Sequence, residues 1–310
     1  MKKWLVIICA LLAAVVICIY LLIPGTMVIS RTVVAKCKAD GAFPILREES
    51  NWSKWWPSDT AGLSFRITHL SYHIINIHIG EAGGRDTAGG YDSRLSVIPL
   101  GSVDSVLLQW DCVVVPGGMN PMRRVRRYLA AREMGNKMNE IMDSMSGYLG
   151  KKEHIYGVAI HEGSTTDNAL LAIKAIFPAP PSTEDVYRLL HKVKDYLEKG
   201  GARQTGYPMM NVTPLNDRKD SFQVMVAIPV DRSLSGTSDI YFKRLVPGKY
   251  LIGDVKGGRH KIEEALAGFG QYILDYQRTV MAIPFESLIT DRSLEPDTSR
   301  WVTRIYYPIF

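Results

Sequence analysis

The residues best equipped for chemistry in this chain are few and scattered. Ser164-Thr165-Thr166 follows His161-Glu162 closely, which gathers nucleophile, base and acid types in one short stretch. Nearness in sequence does not make a triad, because the three groups must converge in hydrogen-bonded contact, and the stretch reads as a strand running into a loop. Asp111, between Trp110 and Cys112, is the best lone acid of the first half and reads as outward-facing or hydrogen-bonded. No Cys-x-x-Cys and no His-Glu-x-x-His occurs, and the seven histidines are scattered. Structural zinc and zincin chemistry are therefore not expected. His73 and His78 read as ordinary residues of an alternating strand. Gly80-Glu81-Ala82-Gly83-Gly84 lacks the Gly-Lys-Ser/Thr of a phosphate loop and reads as a hairpin loop. The expectation is no catalytic residue, no metal and no cofactor.

Binding is what remains, and the composition says which kinds are plausible. At 310 residues, 46% hydrophobic and 22% charged, the chain has enough apolar content for about two ordinary cores. Its 37 basic residues against 31 acidic leave a net charge of +6, too diffuse to argue for nucleic acid.

Lys2 and Lys3 precede an uncharged apolar run over 4–23, about 30 Å as a helix and matched to a bilayer core. A cleaved signal would have a shorter apolar region and a small-residue cleavage site, whereas Tyr20-Leu21-Leu22-Ile23-Pro24 is bulky. The run is predicted to be an uncleaved transmembrane helix of a bacterial cell membrane. A very short basic N-terminus favours N-in, which places the remaining residues outside the cytoplasm. Outside the run only Cys37 and Cys112 remain as thiols, and they are expected not to be bonded to each other.

Residues 26–150 alternate in the manner of strands at Met27–Ala35, Leu63–Thr68, Tyr72–Ile79, Arg94–Leu100 and Ser105–Val115, an antiparallel meander. After Pro116-Gly117-Gly118, Met134, Met138, Ile141, Met145 and Tyr148 fall on one helical face that must bury itself against the sheet. Arg123, Arg124, Arg126, Arg127 and Arg132 crowd the start of that helix, as a solvated face or as a patch for anionic lipid. The strand, the Asn51-Trp52-Ser53-Lys54-Trp55-Trp56-Pro57 segment, the meander and the long helix together resemble the helix-grip domains of the polyketide-cyclase and START-like (SRPBCC) superfamily. That resemblance implies a curved sheet gripping the helix over an apolar cavity, with Met134, Met138 and Trp110 as its candidate lining.

Residues 153–310 contain a repeat. A helix beginning at Ser182 leads to a strand ending Ala227-Ile228-Pro229-Val230, and a helix near Lys261 leads to one ending Tyr306-Tyr307-Pro308-Ile309, the two prolines 79 residues apart. Ser182-Thr183-Glu184-Asp185 supplies a helix cap. Apolar stripes follow in both helices, at Val186, Leu189, Leu190, Val193 and Leu197, and at Ile262, Ala265, Leu266, Phe269, Ile273 and Tyr276. Tyr241–Leu245 and Tyr250–Val255 are predicted as strands of the second copy. The fold class expected is α+β: transmembrane helix, helix-grip domain, then a pseudo-twofold duplicated domain with a cleft where its halves meet.

The repeat, its paired ends and Leu245-Val246-Pro247-Gly248-Lys249-Tyr250 are similar to the GyrI-like effector-binding family, which implies a small molecule in that cleft. Many members carry a Glu four places before the closing proline, whereas here Arg304 and Met225 stand there. The cation recognition and hydrolase chemistry of that family are not carried over, because both need the carboxylate. Arg304, Tyr306, Met225 and Gln223 are the candidate ligand-binding residues, and Arg304 turns the preference towards anionic or aromatic ligands. Alternatively Arg304 pairs with an acid of the 291–297 loop or reaches solvent.

The expected function is non-catalytic: a membrane-tethered protein that binds or senses a small molecule in the C-terminal cleft. The alternative is a hydrolase acting on a small hydrophobic substrate in one of the two cavities. No helix-turn-helix precedes the effector-like region, so nucleic acid is not an expected partner.

Overall fold

The computed structural model describes residues 2–57, 63–81, 90–101, 104–115, 120–165, 169–218, 220–245, 247–280 and 282–310. Ala82-Gly83-Gly84, Pro116-Gly117-Gly118, Thr166 and Val246 lie outside them. Two compact units meet at Lys151/Lys152.

The first unit opens with α1 (Lys2–Leu22), whose described side chains are mostly exposed. Among the described residues no helix is long and apolar enough to cross a membrane. Arg124 ties the end of α1 to the rest of the unit. Its Nε donates to the Ile23 carbonyl at 3.0 Å, a second guanidinium nitrogen donates to the same oxygen, and its Cζ lies 4.6 Å from the Tyr20 ring centre. Arg127 donates to the Val115 carbonyl, so two of the five clustered arginines serve the fold.

Five antiparallel strands follow: β1 (Met27–Ala35), β2 (Leu63–Ser71), β3 (Ile74–Glu81), β4 (Tyr91–Pro99) and β5 (Val106–Val114), in the order β1-β5-β4-β3-β2. Alternation sets the inward face, with Val106, Leu108, Trp110, Cys112 and Val114 of β5 all buried. His73 sits in the β2–β3 turn with a φ of 57°, and not within a strand as its alternation suggested. His78 is on β3 and bonds Asp92.

Between β1 and β2 lie α2 (Ala39–Leu46) and a 3-10 turn over Glu49–Lys54. Trp52 is fully buried, donates from its indole to the Leu46 carbonyl at 2.7 Å and stacks on Phe65 at 4.8 Å. α3 (Pro121–Leu149) is capped by the Asn120 side chain and buries Met134, Met138, Ile141, Met142, Met145 and Leu149. Gly135 lets it approach β1: a Cβ there would stand 2.9 Å from the Arg31 guanidinium, whose Nε donates to the Gly135 carbonyl.

Met134, Met138 and Trp110 are buried, at most 3% exposed.

The β1–β5 register separates the two soluble thiols. Cys112 faces Ile29, eight residues from Cys37, which is roughly 26 Å of strand against the ~7 Å limit for a disulfide. Burial pushes Cys37 up to about 12 and Cys112, with Asp92 nearby, up to about 11. Both thiols should therefore resist iodoacetamide at neutral pH and label fully in denaturant. A faster-migrating monomer band on non-reducing gels that slows with reductant would contradict this register.

The second unit holds one eight-stranded sheet and two covering helices. Its strands are β6 (His161–Ser164), β7 (Ala169–Phe177), β8 (Met209–Pro214), β9 (Phe222–Pro229), β10 (Ile240–Arg244), β11 (Lys249–Lys256), β12 (Phe285–Leu288) and β13 (Val302–Ile309). Their order is β10-β7-β9-β8-β12-β13-β11-β6, with the same arrangement read from either end. The registers repeat as well: Leu170 faces Pro229 as Tyr250 faces Pro308, and Lys174 faces Met225 as Asp254 faces Arg304. One expectation is corrected here. β10 was assigned to the second copy, but it pairs with β7 of the first, and β6 crosses to β11 of the second. Pairing is a long-range choice that local alternation does not encode.

α5 (Thr183–Lys199) and α6 (Arg259–Asp275) lie on one face of the sheet. The Ser182–Asp185 capping box opens α5, and Val186, Leu189, Leu190, Val193 and Leu197 are buried as their spacing predicts. In α6, Ile262, Ala265, Phe269 and Ile273 are buried, with Leu266 and Tyr276 packed against them. The short α4 (Lys152–Tyr156) crosses α6 at Gly268, where an added Cβ would stand 1.9 Å from the Tyr156 carbonyl oxygen.

Candidate functional site

The sheet of the second unit buries opposite faces differently. Odd-numbered β7 residues such as Leu171 and Ile173, with Val224, Val226 and Ile228 of β9, meet α5. The intervening residues, Leu170, Ala172, Met209 and Ala227, form a separate cluster on the other face, with Met225, Tyr241, Leu245 and Phe285 against it. That second face carries a cavity of about 250 Å³.

Both copies contribute to it. Leu170, Met209, Asn211, Met225 and Ala227 come from β7, β8 and β9, Lys243 and Arg244 from β10, and Tyr250, Phe285 and Pro308 from β11, β12 and β13. The Asn211 amide donates to the Pro284 carbonyl at 2.8 Å and accepts from Thr213, so its polar atoms already have partners. The Tyr241 hydroxyl donates to the Met225 sulfur at 3.4 Å. No carboxylate, Ser, Thr, Cys or His lines this cavity among the described residues.

Of the four ligand-binding candidates, Met225 lines the cavity. Tyr306 is on the same face and builds the wall behind it, stacked on Phe285 at 4.9 Å and edge-on to Tyr250 at 6.0 Å. Gln223 lies further along β9, opposite Thr213 and Ile176, and is not among the lining residues. Arg304 faces the cleft side but is engaged by Asp254 across the β11–β13 ladder, Nε to Oδ1 at 2.7 Å and a terminal nitrogen to Oδ2 at 2.9 Å. This bidentate bond holds the Asp254 carboxyl below the ordinary carboxylate range and raises the guanidinium. The acid that pairs with Arg304 is thus on the neighbouring strand, and not on the 291–297 loop.

The reading from sequence passed over Lys243, Arg244, Phe285 and Tyr250. The repeat itself carried a signal for Tyr250, since it stands opposite Pro308 as Leu170 stands opposite Pro229. It also passed over Glu286, on the helix-covered face of β12. Glu286 is 5% exposed, 3.3 Å from Arg259 and 3.6 Å from Arg292, whose side chain is itself 8% exposed. Burial pushes the Glu286 carboxyl up, while the two guanidiniums oppose that shift. Arg292 donates to the Thr303 hydroxyl at 2.7 Å and lies over the Trp301 ring.

The chemistry-type residues of the sequence do not converge. Glu162 pairs with Arg278, and its neighbours His161 and Ser164 are exposed on an edge strand. Asp111 accepts from the Gln109 amide at 2.9 Å. Among the described residues no cluster of three His, Cys, Asp or Glu side chains is placed to hold a metal.

No family model and no curated protein matches the chain. Among solved structures it is similar to EcmrR in an EcmrR–DNA complex, at 18% identity and a TM-score of 0.46 over 61% of this chain and 71% of that one. It is also similar to SAV2435 bound to tetraphenylphosphonium, at 15% identity and 0.32 over 49% and 93%. A START superfamily protein from Mycobacterium smegmatis is similar at 18% identity and 0.27 over 39% and 96%. At these values the likeness assigns no residue here a role.

Proposed function

We propose that this protein binds a small molecule of aromatic or anionic character in the cleft of its second unit, without altering it, while α1 holds it in a bacterial cell membrane. One observation carries the binding reading: a concave, mostly apolar cavity of about 250 Å³ assembled from strands of both copies, with a few polar groups at its edge. The volume lies below the ~300–1,000 Å³ of drug-sized sites, so the occupant is small. A hydrolase would need a nucleophile or proton-accepting carboxylate at the cavity, and its described lining offers neither.

The anchor rests on the charge-free run over 4–23, with Lys2 and Lys3 before it. Protease treatment of spheroplasts is the test: digestion of both units with α1 retained in the pellet supports a single-pass, outward-facing protein. Release of the whole chain by alkaline carbonate overturns it.

Binding is tested by native mass spectrometry of the full chain purified from its own host. A retained small-molecule adduct that disappears in Ala227→Phe, where the larger ring fills the cavity, supports the reading. Met225→Trp obstructs the same space from a half-buried position and guards against misfolding of the first variant. Adducts unchanged by both, or none at all, overturn it.

A further inference from the structure

We infer that the cleft selects an amphipathic anion, its apolar body within the cavity and its charged head at Lys243. The inference rests on the cleft-binding reading and adds the ligand's architecture and the residue that reads its charge.

Three observations lead there. The inner wall is built from buried apolar side chains, Leu170, Met209 and Ala227, each at most 5% exposed, where a charge would be stripped of water with nothing to compensate it. The charged lining is confined to β10, the edge strand, where Lys243, opposite Leu170, is exposed on the cleft face, while Arg244, opposite Ala169, alternates to the helix-covered face. The Lys243 ammonium is 3.9 Å from the Met225 sulfur, so its stem lies along the apolar wall and its head is free to meet solvent.

The Lys243 charge is not neutralised. Among the described residues Lys243 pairs with no carboxylate. The open edge therefore presents a positive charge over an apolar hollow. A ligand with one anionic end satisfies both surfaces at once: the body displaces water from apolar side chains, and the head gains charge-assisted hydrogen bonds at a site that stays hydrated. A cationic ligand of the same shape meets like charge, and a doubly charged one must bury its second charge. Arg304, the cation singled out by sequence, is committed elsewhere and reads nothing.

Phenylbutyrate, phenylbutanol and phenylbutylammonium share one body and differ only at the head. Titrated into the full chain by calorimetry, the carboxylate should bind about tenfold more tightly than the ammonium, with the alcohol between them. Lys243→Ala should bring the three affinities together, and added salt should narrow the wild-type spread because the cation is exposed. Arg304→Met should leave the ratio of carboxylate to ammonium unchanged. Equal binding of all three by the wild type, with binding lost in Ala227→Phe, would overturn the charge selection and leave the cleft reading standing. A ratio that collapses in Arg304→Met and survives in Lys243→Ala would also overturn it. Binding of none of the three, when a host-derived adduct is present, would overturn the amphipathic architecture alone.

Discussion

Gly268→Ala should destabilise the second unit by about 3 kcal/mol or more, although the same change in an exposed helix is stabilising. Two effects compete. Alanine gains about 1 kcal/mol of helix propensity over glycine. Against this, the new Cβ would stand 1.9 Å from the Tyr156 carbonyl oxygen and 2.9 Å from the carbonyl carbon, both backbone atoms of the adjacent α4. Backbone cannot rotate aside like a side chain, so α4 must lift. Tyr156 then draws its hydroxyl away from Asp275, 2.9 Å distant in the buried core, and its ring away from Tyr272. Amide exchange in α6, followed with denaturant, reads the loss directly. An α6 more protected in the variant than in the wild type would mean that the two helices do not approach at this point.

Glu286→Ala should cost about 3–5 kcal/mol, the range for breaking a buried ion pair by removing one partner. Its carboxylate lies between Arg259 and Arg292, and Arg292 is buried as deeply as its partner. Truncation strands that guanidinium with the Thr303 hydroxyl and the Trp301 face, neither of which carries charge. Glu286→Met/Arg292→Met, which removes both charges, should recover much of the loss, since an apolar pair of similar volume is often neutral or better. Unfolding midpoints of the three proteins decide it. A single variant within about 1 kcal/mol of wild type would show the triad to be hydrated and weak.

Much of the local structure was legible. β1 occupies Met27–Ala35 as alternation placed it, and the buried faces of α5 and α6 follow their apolar stripes. These signals are contained within one element, where a period of 2 or 3.6 is the direct imprint of one buried side. What failed was relational. Tyr241–Leu245 was correctly seen as a strand, within a residue of β10 at each end, yet its partner β7 lies some 70 residues earlier and nothing in its own pattern names it. The same gap hid the site. Arg304 stood out because it replaces an expected carboxylate, but Asp254 became its partner only through the β11–β13 register. Lys243 was passed over in the sequence, because only the placing of β10 beside β7, with Lys243 opposite Leu170, turns it towards the cleft. Met134, Met138 and Trp110 were located on the correct inward faces; whether such faces enclose space or close on each other depends on side-chain volumes from three elements at once.

The exchange of edge strands between the two copies bears on how the chain is made. β6 leaves the ribosome first in its unit but finds its neighbour only when β11 has followed, 89 residues after the Glu162 that pairs with Leu251. At about 5–20 residues per second that is a wait of roughly 4–18 s with one strand unpaired. The first copy likewise stays uncovered at β7 until β10 arrives. Neither half is a finished folding unit, so a truncation between them should yield an aggregating fragment rather than a half-sized domain. The duplication thus survives as a pattern in the sheet, while synthesis treats it as a single closing event near the end of the chain.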